Sequence, residues 1–124
     1  MHFHLLDESD LVEIHDSIIG PHELQGLAID KSLSGVLARL QNRIDYGLMN
    51  DVFQYAACAG IFIAKAHCFN DANKRTAAAV VHLILLTHNY SPKFDNNDLG
   101  KWIVSLVKDT LDEAQFTEFL RQSC

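Results

Sequence analysis

Two segments decide what this chain can fold into: residues 52–66 and 73–88 carry long, nearly unbroken apolar stretches, and only the polar run 67–72 separates them. A helix that is hydrophobic all round has to be covered on every side, so both segments are predicted to be central, buried helices. A chain of 124 residues buries roughly two-thirds of the surface its unfolded form would expose, which suits one core and no second domain. Six Gly and two Pro leave little turn material for an all-β design. The expectation is an all-α fold, a compact single-domain helical bundle over 1–124 with its core at about 10–121, in which the two buried helices flank the polar run.

The remaining elements follow from spacing. Leu33, Val36, Leu37, Leu40 and Ile44 recur at the i, i+3, i+4, i+7 positions of an amphipathic helix, which turns Arg39, Gln41, Asn42 and Arg43 outward. Ser9 or Asp10 is expected to cap a first helix reaching about Ile19, with Leu11, Ile14, Ile18 and Ile19 on one face and Gly20-Pro21 as its stop. Asp98 or Asn97 is expected to cap a helix holding Leu99, Trp102, Ile103, Leu106 and Val107. A short last helix runs from Asp112 to Arg121, with Ala114, Phe116, Phe119 and Leu120 as its apolar members. Residues 46–51 and 89–97 read as connections.

Charge and cysteine content narrow the function classes. A formal charge of −6 opposes broad binding to nucleic acid, which needs a basic face to displace counterions, so any phosphate site has to be local. Neither apolar stretch reaches the ~20 residues that span a bilayer, and the first residues lack the basic and apolar regions of a secretory signal. Three cysteines, Cys58, Cys68 and Cys124, form no C-x-x-C pair. A soluble protein of the reducing cytoplasm is expected, with no direct nucleic-acid or membrane partner.

The chemistry lies in the polar run. Lys74 and Arg75 fall in the first turn of the second buried helix, where the helix dipole disfavours cations unless an anion sits with them. Free N–H groups at such a terminus, joined by a Lys and an Arg, make a phosphate cradle without a glycine-rich loop. Lys65 lies just before the run, so three of the ten Lys and Arg fall within eleven residues. Asp71 would repel phosphate unless a divalent cation stood between them, which suggests Mg²⁺. His67 is a base able to take a proton from an attacking hydroxyl. The residues leave a plainer reading open, a polar turn in which Asp71 caps the next helix, Phe69 fills the core and Lys74-Arg75 point into water.

The run His67-Cys68-Phe69-Asn70-Asp71-Ala72-Asn73-Lys74-Arg75 is similar to the Fic signature H-x-F-x-[D/E]-[G/A]-N-[G/K]-R, and with the helices on either side it resembles the death-on-curing (Doc) branch of the Fic/Doc family, over about Leu11 to Leu120. The resemblance implies a helical bundle, ATP with Mg²⁺ as donor, and transfer of part of the nucleotide to a protein hydroxyl. It implies His67 as general base, Phe69 as structural support of the loop, Asp71 as holder of Mg²⁺ or orienter of the acceptor, Asn73 as a phosphate contact, and Lys74 with Arg75 as the anion hole. Cys68, Ala72 and Lys74 stand where adenylylating members have Pro, Gly and Gly, and Ala78 where they place a second Arg. These departures point to the Doc branch, which the family associates with phosphorylation of elongation factor Tu, arrest of translation and control by a cognate antitoxin. Adenylyl transfer is the alternative, and a non-catalytic target-binding module is the alternative of another class.

An antitoxin is expected because the inhibitory pattern [S/T]-x-x-x-E-[G/N] is only partly met by Ser9 and Glu13, with Ile14 following. An apolar groove would suit an antitoxin segment that folds as a helix on binding. Other polar residues are expected to be structural: His15-Asp16 at the surface or as a cap, His82 and His88 within their helix, and His2 with His4 as a pair that does nothing. Cys58 is expected in the core, and neither it nor Cys68 as a nucleophile. Tyr46 and Met49 sit where a flap beside the acceptor is expected, with ordinary loop packing as the plainer reading.

Overall fold

The computed structural model describes residues 5–124. Six helices follow one another: α1 (Glu8–Ile18), α2 (Leu33–Asp45), α3 (Val52–Ala66), α4 (Asn73–Thr87), α5 (Asn96–Val107) and α6 (Glu113–Gln122). There is no strand among the described residues, and the one β-type pairing is an isolated antiparallel bridge between Leu27 and Phe69. His2 and His4 lie outside the described residues.

The expected all-α bundle is what forms, and α3 is its axis. Ten of its fifteen residues are buried, and it packs against α2, α4, α5 and α6. Its partner α4 buries Thr76, Ala77, Ala78, Val80, Val81, Ile84 and Leu85. Small residues allow the close approach. A Cβ added at Gly60 would lie 2.5 Å from Cγ2 of Val81, so only glycine fits there without displacing a buried side chain. Around this pair Leu11, Val36, Leu40, Leu99, Ile103, Phe116 and Leu120 close a single core.

Capping sets where helices begin. The Asp7 carboxylate accepts from the N–H of Asp10, and Asp10 returns a bond to the N–H of Asp7, a reciprocal capping box. The cap of α1 is therefore Asp7, and neither Ser9 nor Asp10 holds that position. Asp95 caps α5, one turn before Asp98, which supplies the N–H that Asp95 accepts. Ser32, Asp51 and Asp112 cap α2, α3 and α6 in the same way.

Arg43 does not turn outward as its position on α2 suggests. It makes a forked pair with Glu113 at 2.7 and 2.9 Å and reaches Sγ of Cys58 at 3.1 Å, tying α2 to the start of α6 over the flank of α3. A planar fork satisfies both carboxylate oxygens, which is why an arginine is tolerated half-buried here.

Candidate active site

The run between α3 and α4 is bent at both ends by residues in the left-handed region. His67 ends α3 at φ 54°, and Ala72 precedes α4 at φ 65°. That conformation costs a non-glycine residue roughly 1–2 kcal/mol, so the surroundings have to hold it. The Phe69 ring is almost fully buried, the anchor expected of it. Asn73 closes the turn: its Oδ1 accepts from the N–H of Phe69 at 3.0 Å and its Nδ2 donates to the Phe69 carbonyl at 2.9 Å. Both ends of the Asn73 amide thus bond the loop, and the residue also lines the pocket where a phosphate contact is expected of it.

A second segment braces the loop from outside. The N–H of Ala28 donates to the Cys68 carbonyl at 2.8 Å, and the N–H of Asn70 donates to the Gly26 carbonyl at 3.0 Å. Asn70 Nδ2 adds a bond to the Gln25 carbonyl. Gly26, at φ +82°, supplies the reversal that aims this short stretch along the loop. Segment 25–28 therefore lies along the loop, whereas in 46–49 Met49 is buried in the core and Tyr46 stands 79% exposed.

From the inner side, α1 contributes His15. The residue expected at the surface is fully buried. Its ring stacks on Phe69 with centroids 3.9 Å apart and planes 5° from parallel, its Nε2 lies 2.9 Å from the Asp71 carbonyl, and its Nδ1 lies 3.1 Å from Oδ1 of Asp16. Its burial, though not its partner, had a signal in the sequence, since His15 lies four residues after Leu11 on the buried face of α1.

Electrostatically, the start of α4 is unlike the other helix starts among the described residues. Asp or Ser side chains cap the other five helices, whereas Ala72 has no side-chain cap to offer. Asp71 does not cap it either: Oδ1 accepts from the adjacent N–H of Ala72 at 2.9 Å, and Oδ2 faces the N–H of Leu24 at 3.4 Å. First-turn donors of α4 are left facing a shallow pocket of about 260 Å³ lined by His67, Asn70, Asp71, Ala72, Asn73, Lys74 and Arg75. The expected site residues other than Phe69 therefore come together around one uncapped, positively polarised helix end.

Two cations behave differently from expectation. Lys65 pairs with Asp109 at 2.8 Å and does not line the pocket. Arg75 does line it, but its guanidinium is held by Glu23 from the 20–25 loop, and Glu23 also accepts from the N–H of Gly20 at 3.0 Å. Those contacts, the Gly20 N–H first and Arg75 next, hold the Glu23 carboxyl below its ordinary range.

The remaining candidates are structural. Burial pushes the Cys58 thiol up to about 12 and raises that of Cys68, the opposite of an activated nucleophile. His88 bonds the Ile84 carbonyl through Nδ1, and His82 meets the Phe94 ring edge-on. Beside the pocket and sharing Lys74 and Arg75 with it, a groove of about 900 Å³ runs between α4 and α5, lined further by Ile18, Ala78, Ala79, Asn97, Gly100, Lys101, Val104 and Ser105. Among the described residues no helix is long and apolar enough to cross a membrane, and no group of three or more His, Cys, Asp or Glu is placed to hold a metal ion.

Comparison with known proteins agrees with this geometry. The model of the Fic/DOC family matches residues 5–85, which takes in α1, the bracing segment, the loop and most of α4. A relative from Escherichia phage P1, the protein kinase doc, is 32% identical over 118 residues, covering 94% of this chain and 93% of the relative. A match that includes both the motif loop and the helices that hold it, extended to the last helices by the phage relative, places the chain in the Fic/Doc family.

Proposed function

We propose that this protein is the toxin of a toxin–antitoxin pair and acts as a protein kinase, transferring the γ-phosphate of ATP to a Ser or Thr hydroxyl of a translation factor, elongation factor Tu, in the cytoplasm. The observation that carries the reading is the uncapped start of α4 with Lys74 and Arg75 in its first turn and His67 beside it. Phosphoryl transfer relies mainly on positioning and charge neutralisation, which such a site can supply. The phage relative's description as a protein kinase supports the same class.

In this reading His67 takes the proton of the acceptor hydroxyl, and the α4 N–H groups with Lys74 and Arg75 bind the terminal phosphate. Asp71 would hold Mg²⁺ together with phosphate oxygens; a single carboxylate suits an ion that keeps several of its waters. When bound, the ion would neutralise phosphate charge. Asn73 and Phe69 fix the loop that carries these groups. Adenylyl transfer is less well supported, because Lys74 fills the space that glycine leaves in adenylylating relatives and Ala78, nearly buried on α4, offers no second cation. The groove between α4 and α5 is where an antitoxin helix would lie, and Lys74, Arg75 and Lys101 along it would favour an acidic, apolar-faced segment.

The test is transfer of label from ATP to purified elongation factor Tu. γ-Labelled ATP is expected to mark the factor and release ADP, while α-labelled ATP leaves it unmarked. Transfer of the α-label with release of pyrophosphate would make the protein an adenylyltransferase, and stoichiometric inhibition without either label would make it a binding module.

A further inference from the structure

We infer that His15 is a positioning residue of the active site, the group through which α1 sets the orientation of Asp71. The inference rests on the phosphotransfer reading for what Asp71 does, and on geometry alone for what His15 does. A carbonyl oxygen can only accept, so at 2.9 Å from the Asp71 carbonyl the Nε2 of His15 carries the proton and donates it. The same ring lies flat against Phe69. His15 therefore grips the loop at two points on either side of Asn70, one through a ring face and one through a hydrogen bond.

The grip matters because the Asp71 carboxylate is otherwise held by its own turn and by one long contact to an exposed loop. Its Oδ1 accepts from the next N–H in the chain, and its Oδ2 faces the N–H of Leu24 on an exposed loop at 3.4 Å. The first bond ties the carboxylate to the peptide plane that joins Asp71 to Ala72 without anchoring that plane to the core, and Ala72 is itself in the left-handed region, where backbone energy favours relaxation. The bond from His15 fixes that plane from a helix packed into the core. Burial of the imidazole makes the bond obligatory, because an unpaired ring N–H in the core would carry its full desolvation cost. Nδ1 is turned toward Asp16, whose side chain is 60% exposed, so within the buried ring Nδ1 lies on the surface side and Nε2 faces the loop.

Two variants separate the ring from the bond. His15→Phe keeps a ring for Phe69 and removes the donor; His15→Gln keeps a donor at the place of Nε2 and removes the ring. With the loop loosened, His15→Phe should lower kcat for transfer about tenfold to a hundredfold, as expected for a small misplacement of a reacting group, with KM for ATP nearly unchanged. His15→Gln should recover most of that loss. Amide hydrogen exchange provides a readout independent of turnover. In His15→Phe the N–H groups of Phe69 and Ala72 should exchange at least about tenfold faster while the amides of α3 keep their protection, and in His15→Gln they should return toward wild type. Wild-type kcat and loop protection in His15→Phe, or a His15→Gln variant as impaired as His15→Phe, would overturn the inference. Should the Phe variant not fold, nitrogen NMR of the wild-type protein decides: a slowly exchanging proton on His15 Nε2 is expected, and an unprotonated Nε2 would overturn it. If the wild-type protein transfers no phosphate, the proposed function fails while exchange and NMR still decide the role of His15.

Discussion

Asn73 hydrogen-bonds both backbone polar groups of Phe69, accepting from its N–H at 3.0 Å and donating to its carbonyl at 2.9 Å. The first residue of α4 thereby ties itself to the residue that anchors the loop, and the turn between them becomes a closed unit. Asn73→Ala leaves the N–H and the carbonyl of nearly buried Phe69 without these partners, and the expected loss of stability is about 1–3 kcal/mol. Asn73→Asp keeps the acceptor but sets a carboxylate oxygen against the Phe69 carbonyl, so it should also destabilise. Denaturant midpoints measure both, and an Asn73→Ala protein as stable as wild type would mean that the closure is not what holds the turn.

Under the proposed function, Glu23 and the phosphate of a nucleotide would compete for one guanidinium. The Arg75–Glu23 pair spans the pocket edge, and the pair has to open if Arg75 is to bind phosphate. Glu23→Gln should therefore tighten ATP binding modestly, and Arg75→Ala should weaken it. The Glu23 effect should shrink with added salt, since the pair is exposed. The sign with pH follows from the carboxyl being held below its ordinary value of 4.5. The pair is fully present near neutral pH, and it is lost only as pH falls through that lowered value. Calorimetric titration at neutral pH and at two salt concentrations checks these expectations, and identical affinities in wild type and Glu23→Gln would remove Glu23 from the site.

Packing of α3 on α4 turns on Gly60. An alanine there would place its Cβ 2.5 Å from Cγ2 of Val81, a fully buried side chain with no free rotamer to retreat into. Overpacking of this kind costs about 1–3 kcal/mol. Gly60→Ala should lower the melting temperature, and Val81→Ala added to it should cost less than the sum of the two single changes, because the second removes the methyl that the first meets. Strict additivity would place the strain elsewhere.

What the sequence made legible was what depends on neighbours along the chain. The limits of α3 could be read because an all-apolar segment ends where polar residues begin, and α2 because its spacing has one solution. Helix starts were harder. Asp7, Ser9 and Asp10 compete within a single turn, as do Asp95, Asn97 and Asp98, and the choice was decided by geometry that adjacency does not encode. The motif run was legible as a contiguous pattern, but the partners that support it were not. His15, Glu23 and Gly26 lie 56, 52 and 44 residues from the loop or α4 residues they bond, Asp71, Arg75 and Asn70, and only the folded chain brings them together. The inward turn of Arg43 is hidden for the same reason, since its partner Glu113 is 70 residues away.

The last prediction sets stability against function at His67. The position that ends α3 is left-handed at φ 54°, where glycine is the residue that helix termination favours. A histidine there bears a backbone cost of roughly 1–2 kcal/mol that glycine would not, partly offset by the greater freedom glycine gains in the unfolded chain. Its imidazole is exposed at the pocket, so no core contact repays the cost. His67→Gly should therefore be at least as stable as wild type while transfer falls ~10²–10⁴-fold, the usual contribution of a general base. His67→Ala should lose as much activity and gain no stability, since alanine keeps the Cβ that makes the conformation costly. His67→Asn, a residue tolerant of this backbone region, should fold as well as wild type and still be inactive. Melting curves and labelled-phosphate transfer on the three variants separate the backbone effect from the chemical one. A His67→Gly protein that keeps wild-type transfer would show that the imidazole takes no part in the reaction.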